Sequence, residues 1–300
     1  MQLPVSRLLE SLSEDQYEFQ YAGSPTAVVH GFCPVSGLRA QNLTWVRSID
    51  ALPDAVFAGE LDLVIVADRP YSGESQLNVI ATPTPRAVFF SLLKAFFAQA
   101  SPAFVAPNAT VLSPRIAADV HIGYNSFIGP DVVIGARTRI ENNVTIDGEV
   151  TIGEDCLIGS GAVIGAPGFG YFDDAQGRLQ KIPDFGGVTI GDRVYVGANA
   201  CISQGTLTDT IIGDDSKIDM LAYIAHNVVV GRECLVIGNS MLSGSVQLSD
   251  RVWVAPGATL SDHVEVGRNA LIGVGAAVTQ NVADNAVVAG VPARFLRNRG

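Results

Sequence analysis

Residues 116–165 read IAADVHIGYNSFIGPDVVIGARTRIENNVTIDGEVTIGEDCLIGSGAVIG, with an isoleucine at every sixth position. Nine isoleucines keep this spacing without a gap: Ile116, Ile122, Ile128, Ile134, Ile140, Ile146, Ile152, Ile158 and Ile164. Glycine directly follows six of them. The same spacing returns over residues 190–202 and again over residues 212–278, where valine or leucine often replaces isoleucine.

A period of six matches neither the 3.6-residue turn of an α-helix nor the alternation of a single strand. It is typical of a triangular β-solenoid, in which each face takes six residues and one aliphatic side chain points inward from each short strand. Glycine and small polar residues then turn each corner, where the backbone often needs a positive φ. The repeat therefore predicts a mainly β fold, with a solenoid domain over residues 101–283 and about eight or nine stacked coils between Ile116 and Val278.

The repeat is interrupted twice. Ile164 and Ile190 lie 26 residues apart, which leaves residues 166–187 outside the coils. Ile202 and Ile212 lie 10 residues apart, which leaves a shorter bulge at residues 203–206. Insertions into solenoids form loops that often line the binding face, so we expect residues 166–187 to project from one corner.

Residues 1–100 lack the period. Residues 5–12 and 85–99 show helical spacing of apolar side chains, with Ser6 as a candidate cap of the first helix, and residues 61–67 and 78–81 resemble buried strands. These elements predict a small α/β domain over residues 1–100, followed by the solenoid and a C-terminal tail of residues 284–300.

The composition excludes several classes of protein. Hydrophobic residues make up 48% and charged residues 16% of the chain, which excludes a disordered protein. A formal net charge of −11 argues against nucleic-acid binding. No apolar run reaches the roughly 18 residues of a membrane span, and the first ten residues hold no apolar signal core, so we expect a cytoplasmic protein. The four cysteines form no Cys-x-x-Cys pair, which predicts reduced apolar side chains and no metal site.

Two of the four histidines are spaced to lie on one side of the prism. His226 and His263 are 37 residues apart, two coils plus one residue, and thus about 10 Å apart along the axis. Gly244 lies one coil beyond His226, and Asp219 lies one face before it. A histidine base beside a glycine amide that can bind an oxyanion suits acyl transfer. The alternative is a solvated corner residue, which we favour for the other two histidines.

Two segments resemble a known family. Residues 165–191, GAPGFGYFDDAQGRLQKIPDFGGVTIG, and residues 208–231, TDTIIGDDSKIDMLAYIAHNVVVG, resemble the UDP-3-O-(3-hydroxyacyl)glucosamine N-acyltransferases of lipid A synthesis. The order of an α/β domain before a solenoid resembles that family too. The resemblance implies a left-handed parallel β-helix, a homotrimer with active sites between subunits, and acyl transfer to the amine of a UDP-linked amino sugar.

The resemblance also implies residue roles. His226 of the AHNV motif would be the general base, oriented by Asp219; the Gly244 amide would hold the oxyanion, and His263 would hold substrate or stabilise charge. Trp45 falls where the family stacks the uracil ring. The other substrate-binding positions that match are Phe169, Gly170, Tyr171, Lys181 and Asn227. For the donor, the small side chain of Ala276 would leave room for an acyl chain, and Arg294 in the C-terminal tail would contact a phosphate.

The chain departs from the family's pattern in several places. Ser203 and Gln204 replace an acidic–basic pair, Pro167 replaces an Asp, and the second uracil-stacking aromatic has no counterpart near residues 49–50. The family continues into helices that help engage acyl carrier protein, whereas this chain stops at Gly300. Its residues 289–294, AGVPAR, resemble instead the tail of coenzyme-A-dependent sugar acetyltransferases.

We therefore expect an acyltransferase with no permanently bound cofactor and no metal, whose donor is a thioester of acyl carrier protein or of coenzyme A. The alternative is an acetyl-coenzyme-A-dependent sugar N- or O-acetyltransferase. A catalytically inactive scaffold is a further alternative. A γ-carbonic-anhydrase-like solenoid fits poorly because the His-x4-His spacing is absent.

Overall fold

The computed structural model of the chain describes residues 2–59, 61–73, 77–98 and 102–299. Contacts divide the chain into two units, residues 1–100 and residues 101–300. The predicted boundary at residues 100 and 101 itself lies outside the described residues.

The second unit is a left-handed parallel β-helix with three faces, each of which is a sheet of very short strands. The first face contains Phe104–Val105, His121–Ile122, Arg139–Ile140, Leu157–Ile158, Tyr195–Val196, Lys217–Ile218, Leu235–Val236, Trp253–Val254, Leu271–Ile272, Ala286–Ala289 and Arg294–Asn298. The second face contains Thr110–Val111, Phe127–Ile128, Thr145–Ile146, Val163–Ala166, Cys201–Ser203, Tyr223–Ile224, Met241–Leu242, Thr259–Leu260 and Ala277–Val278. The third face contains Val133–Ile134, Val150–Ile152, Val188–Ile190, Thr210–Ile212, Val229–Val230, Gln247–Leu248 and Glu265–Val266.

The six-residue repeat forms the core in the way the sequence predicts. Ile122 lies beside Ile140, and Ile140 beside Ile158, in the parallel register of the first face. The same stacking on the other faces gives one continuous aliphatic column, and the repeat isoleucines from Ile122 to Ile164 are at most 2% exposed. Between Ile116 and Val278 the second face has eight of its nine described strands, in agreement with the eight or nine coils predicted for that stretch, and further strands extend the solenoid on both sides.

The corners differ from the prediction in one respect. Five of the six glycines that follow the inward isoleucines, such as Gly135, are not left-handed; Gly165, with a φ of 86°, is the exception. Their requirement is space, because a Cβ on Gly135 would lie 2.7 Å from the backbone of Gly153 in the next coil. The positive φ occurs two residues later and is carried mainly by Asn, Asp and Arg side chains, for example Asn125 and Arg137.

Truncation of an inward side chain should destabilise the solenoid strongly. Ile146 is fully buried, and Ile146→Ala is expected to lower the free energy of unfolding by about 3 kcal/mol because it removes apolar burial and leaves a cavity. The outward neighbour Thr145 is exposed, so Thr145→Ala should change the free energy of unfolding by less than about 0.5 kcal/mol. Urea unfolding of both variants measures the difference; equal effects would contradict the inward assignment of Ile146.

The first unit is a small α/β fold. Its five-stranded sheet has the order Gln20–Ala22, Asn78–Ala81, Val64–Ala67, Asn42–Trp45 and Gly31–Phe32, with only the first pair antiparallel. Leu3–Pro4 pairs with Val28–Val29, and the helices are Val5–Glu14, Asp54–Phe57 and Pro85–Phe96, with 3-10 turns at Val35–Gly37 and Ile49–Ala51. No helix within the described ranges is both long and apolar enough to cross a membrane.

The predicted elements of this unit are confirmed, with shifted bounds. The first helix begins at Val5 after Pro4, so Ser6 lies inside the helix and does not cap it. The strand predicted over residues 61–67 begins at Val64, and the helix predicted over residues 85–99 ends at Phe96. Residue 99 lies outside the described residues.

Residues 284–300, the predicted tail, continue the first face. Ala286–Ala289 pairs in parallel with Leu271–Ile272, and Arg294–Asn298 folds back on it in antiparallel fashion. Gly300 lies outside the described residues.

Candidate active site

Three of the predicted site residues lie along the edge where the second face passes into the third. His226 and Gly244 follow the strands Tyr223–Ile224 and Met241–Leu242, which pair in parallel register. His263 follows Thr259–Leu260, one coil further along the same face. The structure therefore aligns the two histidines and the glycine along this edge, as the coil spacing predicts.

The imidazole of His226 lies against Gly244. A Cβ on Gly244 would fall 2.6 Å from Cε1 and 2.8 Å from Nε2 of the ring, closer than real Cβ contacts. The Ser245 amide also donates to the His226 carbonyl at 3.0 Å, which fixes the two coils relative to each other. Glycine at position 244 thus provides the space that the ring occupies.

The Gly244 amide is an available donor. At equivalent corner positions elsewhere, the amide donates to a carboxylate of the next coil: Glu154 N–H to Asp192 at 2.9 Å, and Arg232 N–H to Asp250 at 2.9 Å. Within the part of the chain that the structure describes, the Gly244 N–H has no acceptor. A free donor beside a histidine nitrogen is the arrangement that stabilises negative charge on an acyl oxygen.

The side chain of Asn227 forms a hydrogen bond with Nδ1 of the His226 ring. Its Oδ1 lies 3.1 Å from His226 Nδ1 and also accepts the Thr206 N–H at 3.1 Å. Its Nδ2 donates to the Thr208 carbonyl at 2.8 Å and to the Thr208 hydroxyl at 3.2 Å. Both ends of the Asn227 side-chain amide are thus bonded within the chain, and the substrate-binding role that the resemblance implied for Asn227 stays a prediction.

Asp219 lies at a different corner of the prism from His226. Asp219 follows Lys217–Ile218 of the first face, so it lies at the preceding corner. Its Oδ2 accepts the Gly238 N–H at 3.1 Å. Within the chain, the side chain in contact with His226 Nδ1 is Asn227, and the orienting role implied for Asp219 stays a prediction.

The long insertion folds back over the histidine. Residues 166–187 form an antiparallel hairpin of Tyr171–Asp173 and Leu179–Lys181. A Cβ on Gly168 would lie 2.9 Å from His226 Cβ and 3.3 Å from its Cδ2, so this turn packs on the ring from the side of the preceding coil. The projecting loop predicted from the sequence is therefore an ordered hairpin beside the candidate base.

A buried carboxylate anchors this turn. The Asp184 side chain is only 4% exposed, and its Oδ2 accepts the Gly168 N–H at 3.1 Å and pairs with Lys181 Nζ at 2.9 Å. Lys181 also donates to the Ile182 carbonyl at 2.6 Å. The resemblance assigned Lys181 to substrate and gave no role to Asp184, whose signal in the sequence was the missing acid at Pro167, the residue directly before Gly168.

Loss of the ion pair between Lys181 and the buried Asp184, called the clamp below, should loosen the hairpin. Lys181→Met leaves the Asp184 carboxylate buried with one remaining donor, which should destabilise the insertion by about 2 kcal/mol. Limited proteolysis is expected to cut residues 166–187 faster. Arg178→Met removes a more exposed pair with Asp174 on the same hairpin and should have little effect; faster cutting of both variants alike would contradict the clamp.

The hairpin and the short bulge present apolar side chains to solvent near this edge. Phe169 is 79% exposed and meets the Tyr171 ring edge-on at 5.1 Å. Gly170 joins them, and its carbonyl accepts the Ile182 N–H at 2.9 Å. The other large exposed apolar residues here are Phe172, Leu179, Phe185 and Leu207. Such a cluster is typical of a surface that takes a ligand or another subunit.

The first unit carries its own cavity, of about 710 Å³, beside Trp45. The indole ring lies 6.3 Å from the Phe90 ring of helix Pro85–Phe96, at a steep angle. Two guanidinium groups, of Arg47 and Arg86, line the same cavity. Phe90, from a helix about 40 residues later in the chain, is therefore a second aromatic side chain in the cavity beside Trp45.

The two residues predicted to bind the acyl donor, Ala276 and Arg294, differ in their exposure. Ala276 is 1% exposed and belongs to the aliphatic core; the outward position beside it is Ala277. Arg294 is exposed at the start of the last strand, and its Nη1 donates only to the Ala293 carbonyl next to it. Ala276 is therefore buried and Arg294 accessible, and the donor-binding roles of both residues stay predictions.

The cysteines are free, as expected for a reduced chain. Burial raises the pKa of the Cys234 thiol to about 11 and also raises the pKa of the Cys156 and Cys201 thiols. Such thiols are poor nucleophiles at neutral pH. Across the described ranges, no group of three or more His, Cys, Asp or Glu side chains is arranged to hold a metal ion.

Comparison with known proteins identifies the family. The model of the bacterial transferase hexapeptide (six repeats) matches residues 113–148 and 131–166, and that of the hexapeptide repeat of succinyl-transferase matches residues 187–225. The UDP-3-O-acylglucosamine N-acyltransferase of Coxiella burnetii is 36% identical over 228 residues, which cover 69% of this chain and 67% of that protein. The chain belongs to the UDP-3-O-acylglucosamine N-acyltransferase family.

Other members of the UDP-3-O-acylglucosamine N-acyltransferase family match over shorter lengths. The probable UDP-3-O-acylglucosamine N-acyltransferase 2, mitochondrial, of Arabidopsis thaliana is 40% identical over 42% of this chain, and the Methylobacterium nodulans enzyme is 40% identical over 43%. These matches span 41% and 37% of the two relatives, less than half of their length.

Solved structures share the fold. The UDP-N-acetylglucosamine acyltransferase of Francisella novicida is 26% identical, with a TM-score of 0.59 over 65% of this chain and 70% of that chain. LpxA from Acinetobacter baumannii is 24% identical, with a TM-score of 0.58 over 64% and 73%. The left-handed β-helix is therefore common to this member of the UDP-3-O-acylglucosamine N-acyltransferase family and to those structures.

Proposed function

We propose that the chain transfers an acyl group from a thioester to the amine of a UDP-linked amino sugar, as its relatives' names describe for lipid A synthesis. The observation that carries the proposal is the free Gly244 amide beside the imidazole of His226. Membership of the N-acyltransferase family supports the same reaction.

The proposed reaction is a direct transfer. The sugar amine attacks the thioester carbonyl carbon, a carbon–nitrogen bond forms, and His226 Nε2 accepts the proton that the amine loses. The carbonyl oxygen gains negative charge and accepts the Gly244 N–H. The carbon–sulfur bond then breaks, and the imidazolium returns its proton to the departing thiolate, so the products are an amide and a free thiol. His263, one coil beyond Gly244, would hold the substrate.

The cavity of the first unit suits the nucleotide. The indole of Trp45 offers a flat apolar face for a uracil ring, with Phe90 as the neighbouring aromatic. Arg47 and Arg86 line the same cavity and can pair with a diphosphate. The first unit would thus contribute recognition of the nucleotide.

We also propose that the chain works as a homotrimer in the cytoplasm, where nucleotide sugars and acyl thioesters occur. The edge between the first and second faces exposes Met220, Leu221 and Val274, an unusually apolar corner for a surface. Burial of such a stripe against other copies would supply the apolar contact area that association requires. Light scattering should then give a mass of three chains of 31.5 kDa.

A donor panel tests the proposed function. Thiol release is measured with UDP-amino-sugar acceptors and either 3-hydroxyacyl carrier proteins of several chain lengths or acetyl-coenzyme A. We expect release with the carrier-protein thioesters. Activity with acetyl-coenzyme A alone would contradict the assigned donor and favour the second candidate, a sugar acetyltransferase, whose support is the exposed Arg294 in the last strand.

A further inference from the structure

We propose that Asn227, together with the bulge at residues 203–209, is a positioning device that keeps the neutral His226 ring protonated on Nδ1. The Nε2 lone pair is then directed at the site beside Gly244. The inference rests on the proposed function, because it specifies how the base of that reaction is held.

The orientation of the Asn227 amide is fixed by two backbone groups. The Thr206 N–H can only donate, so the atom that it meets at 3.1 Å is the oxygen Oδ1. The Thr208 carbonyl can only accept, so the atom that it meets at 2.8 Å is the nitrogen Nδ2. The side chain therefore cannot flip without losing both bonds.

This orientation decides which nitrogen of His226 carries the proton. The group that faces Nδ1 at 3.1 Å is the fixed acceptor Oδ1 of Asn227. An acceptor requires a donor, so Nδ1 carries the hydrogen in the neutral ring and Nε2 keeps its lone pair. Nε2 is also the ring nitrogen that lies nearer to Gly244. One hydrogen bond thus prepares the ring to act as a base.

The arrangement is specific to this corner. Other asparagines in the same left-handed position bond to the asparagine one coil away: Asn125 Nδ2 to Asn143 at 3.2 Å, and Asn269 Nδ2 to Asn285 at 2.9 Å. Asn227 turns instead toward the bulge. Its neighbour in the next coil is Ser245, so the hydrogen bond between two asparagines of successive coils cannot form there.

The segment of residues 203–209 contacts both Asn227 and the long insertion. It supplies the Thr206 N–H and the Thr208 carbonyl that hold the Asn227 side chain. The Thr206 carbonyl also accepts the Phe185 N–H at 2.7 Å, and the Gln204 N–H donates to the Ala166 carbonyl at 2.9 Å. The Asn227 backbone N–H donates to the Thr210 hydroxyl at 2.9 Å. The second interruption of the repeat thus supports Asn227 as well as the base of the insertion.

Asn227→Gly in the full-length chain tests the device. Glycine tolerates the φ of 59° at this position, so the change removes the side chain without backbone strain. Asn269→Gly is the matched control, with a φ of 57° at an edge remote from His226. Nitrogen NMR of protein labelled at its four histidines reads the tautomer of each ring directly, and kinetics are measured on the same samples.

We expect the wild type and Asn269→Gly to show His226 protonated on Nδ1. Asn227→Gly should lose that preference and lower kcat by about 10- to 100-fold, with a much smaller change in KM. A wild-type His226 ring protonated on Nε2 would overturn the inference, as would an Asn227→Gly variant that keeps both tautomer and kcat. Full turnover by a His226→Ala variant would overturn the proposed reaction, while the tautomer measurement would still decide the role of Asn227.

Discussion

His226→Ala is expected to lower kcat by between about 100- and 10,000-fold, the usual contribution of a general base. The amine of an amino sugar must lose a proton as the carbon–nitrogen bond forms, and within the described residues His226 is the histidine that lies beside the free Gly244 amide. Steady-state thiol release with the preferred donor measures the effect. The half-buried ring lies at a corner outside the aliphatic core, so the thermal unfolding midpoint should barely change.

His121→Ala is the matched control for this prediction. His121 lies on the first face, where its ring stacks near Phe104 at 5.3 Å, and it contacts none of the residues around His226. Its loss should leave kcat near the wild-type value. Near-normal turnover by His226→Ala, or an equal loss in both variants, would contradict the assignment of the base.

Gly244→Ala should lower kcat by roughly 100-fold, although it adds only a methyl group. The new Cβ would meet the imidazole of His226 at 2.6 Å, so the ring must move away from the amide that it serves. The atoms that the new Cβ meets belong to a side chain, which can rotate away, and not to the backbone, so the coil should remain folded. Gly37→Ala in the first unit, where the nearest atom is 3.8 Å away, is the control.

A double variant shows whether the two groups act together. If Gly244→Ala acts by displacing the base, it should cost little further activity in a His226→Ala background. Full additivity of the two losses would mean that Gly244 acts independently of the ring, and the shared geometry proposed for the site would be wrong.

The fold was predictable because its signal is distributed over many residues. Each of the aligned isoleucines from Ile122 to Ile164 reports the same six-residue geometry, so no single position has to be interpreted correctly. The parallel register that results places Gly244 and His263 one and two coils beyond His226. The alignment of the candidate base and oxyanion donor along one edge therefore followed from counting residues.

The contacts within the site were not predictable in the same way. Asp219 and Lys181 were assigned through a resemblance, which transfers chemistry without showing which neighbours compete for each polar group. In the structure Asp219 accepts the Gly238 amide, and Lys181 pairs with the buried Asp184. The burial of Ala276 follows from the repeat itself: the position before the outward Ala277 is an inward one, and the Ala276 methyl group lies in the core.

The features that depend on the two insertions were the hardest to predict from the sequence. The repeat shows where it is interrupted, but six-residue counting carries no information about how the extra residues fold. The contact of Gly168 with His226, and the bonds from Thr206 and Thr208 to Asn227, arise because both insertions leave the coil near the same edge. Their effect on the candidate base appears only in three dimensions.

The most direct test of the central claim compares two acceptors that differ in one atom. A UDP-linked 2-amino sugar and its 2-hydroxyl counterpart are each incubated with a 3-hydroxyacyl carrier protein, and thiol release and product mass are recorded. If the chain is an N-acyltransferase with His226 as its base, thiol release should depend on the acceptor and the amino sugar should give an amide product. His226→Ala should abolish both. Release with no dependence on the amine, or amide formation that survives loss of His226, would contradict this assignment.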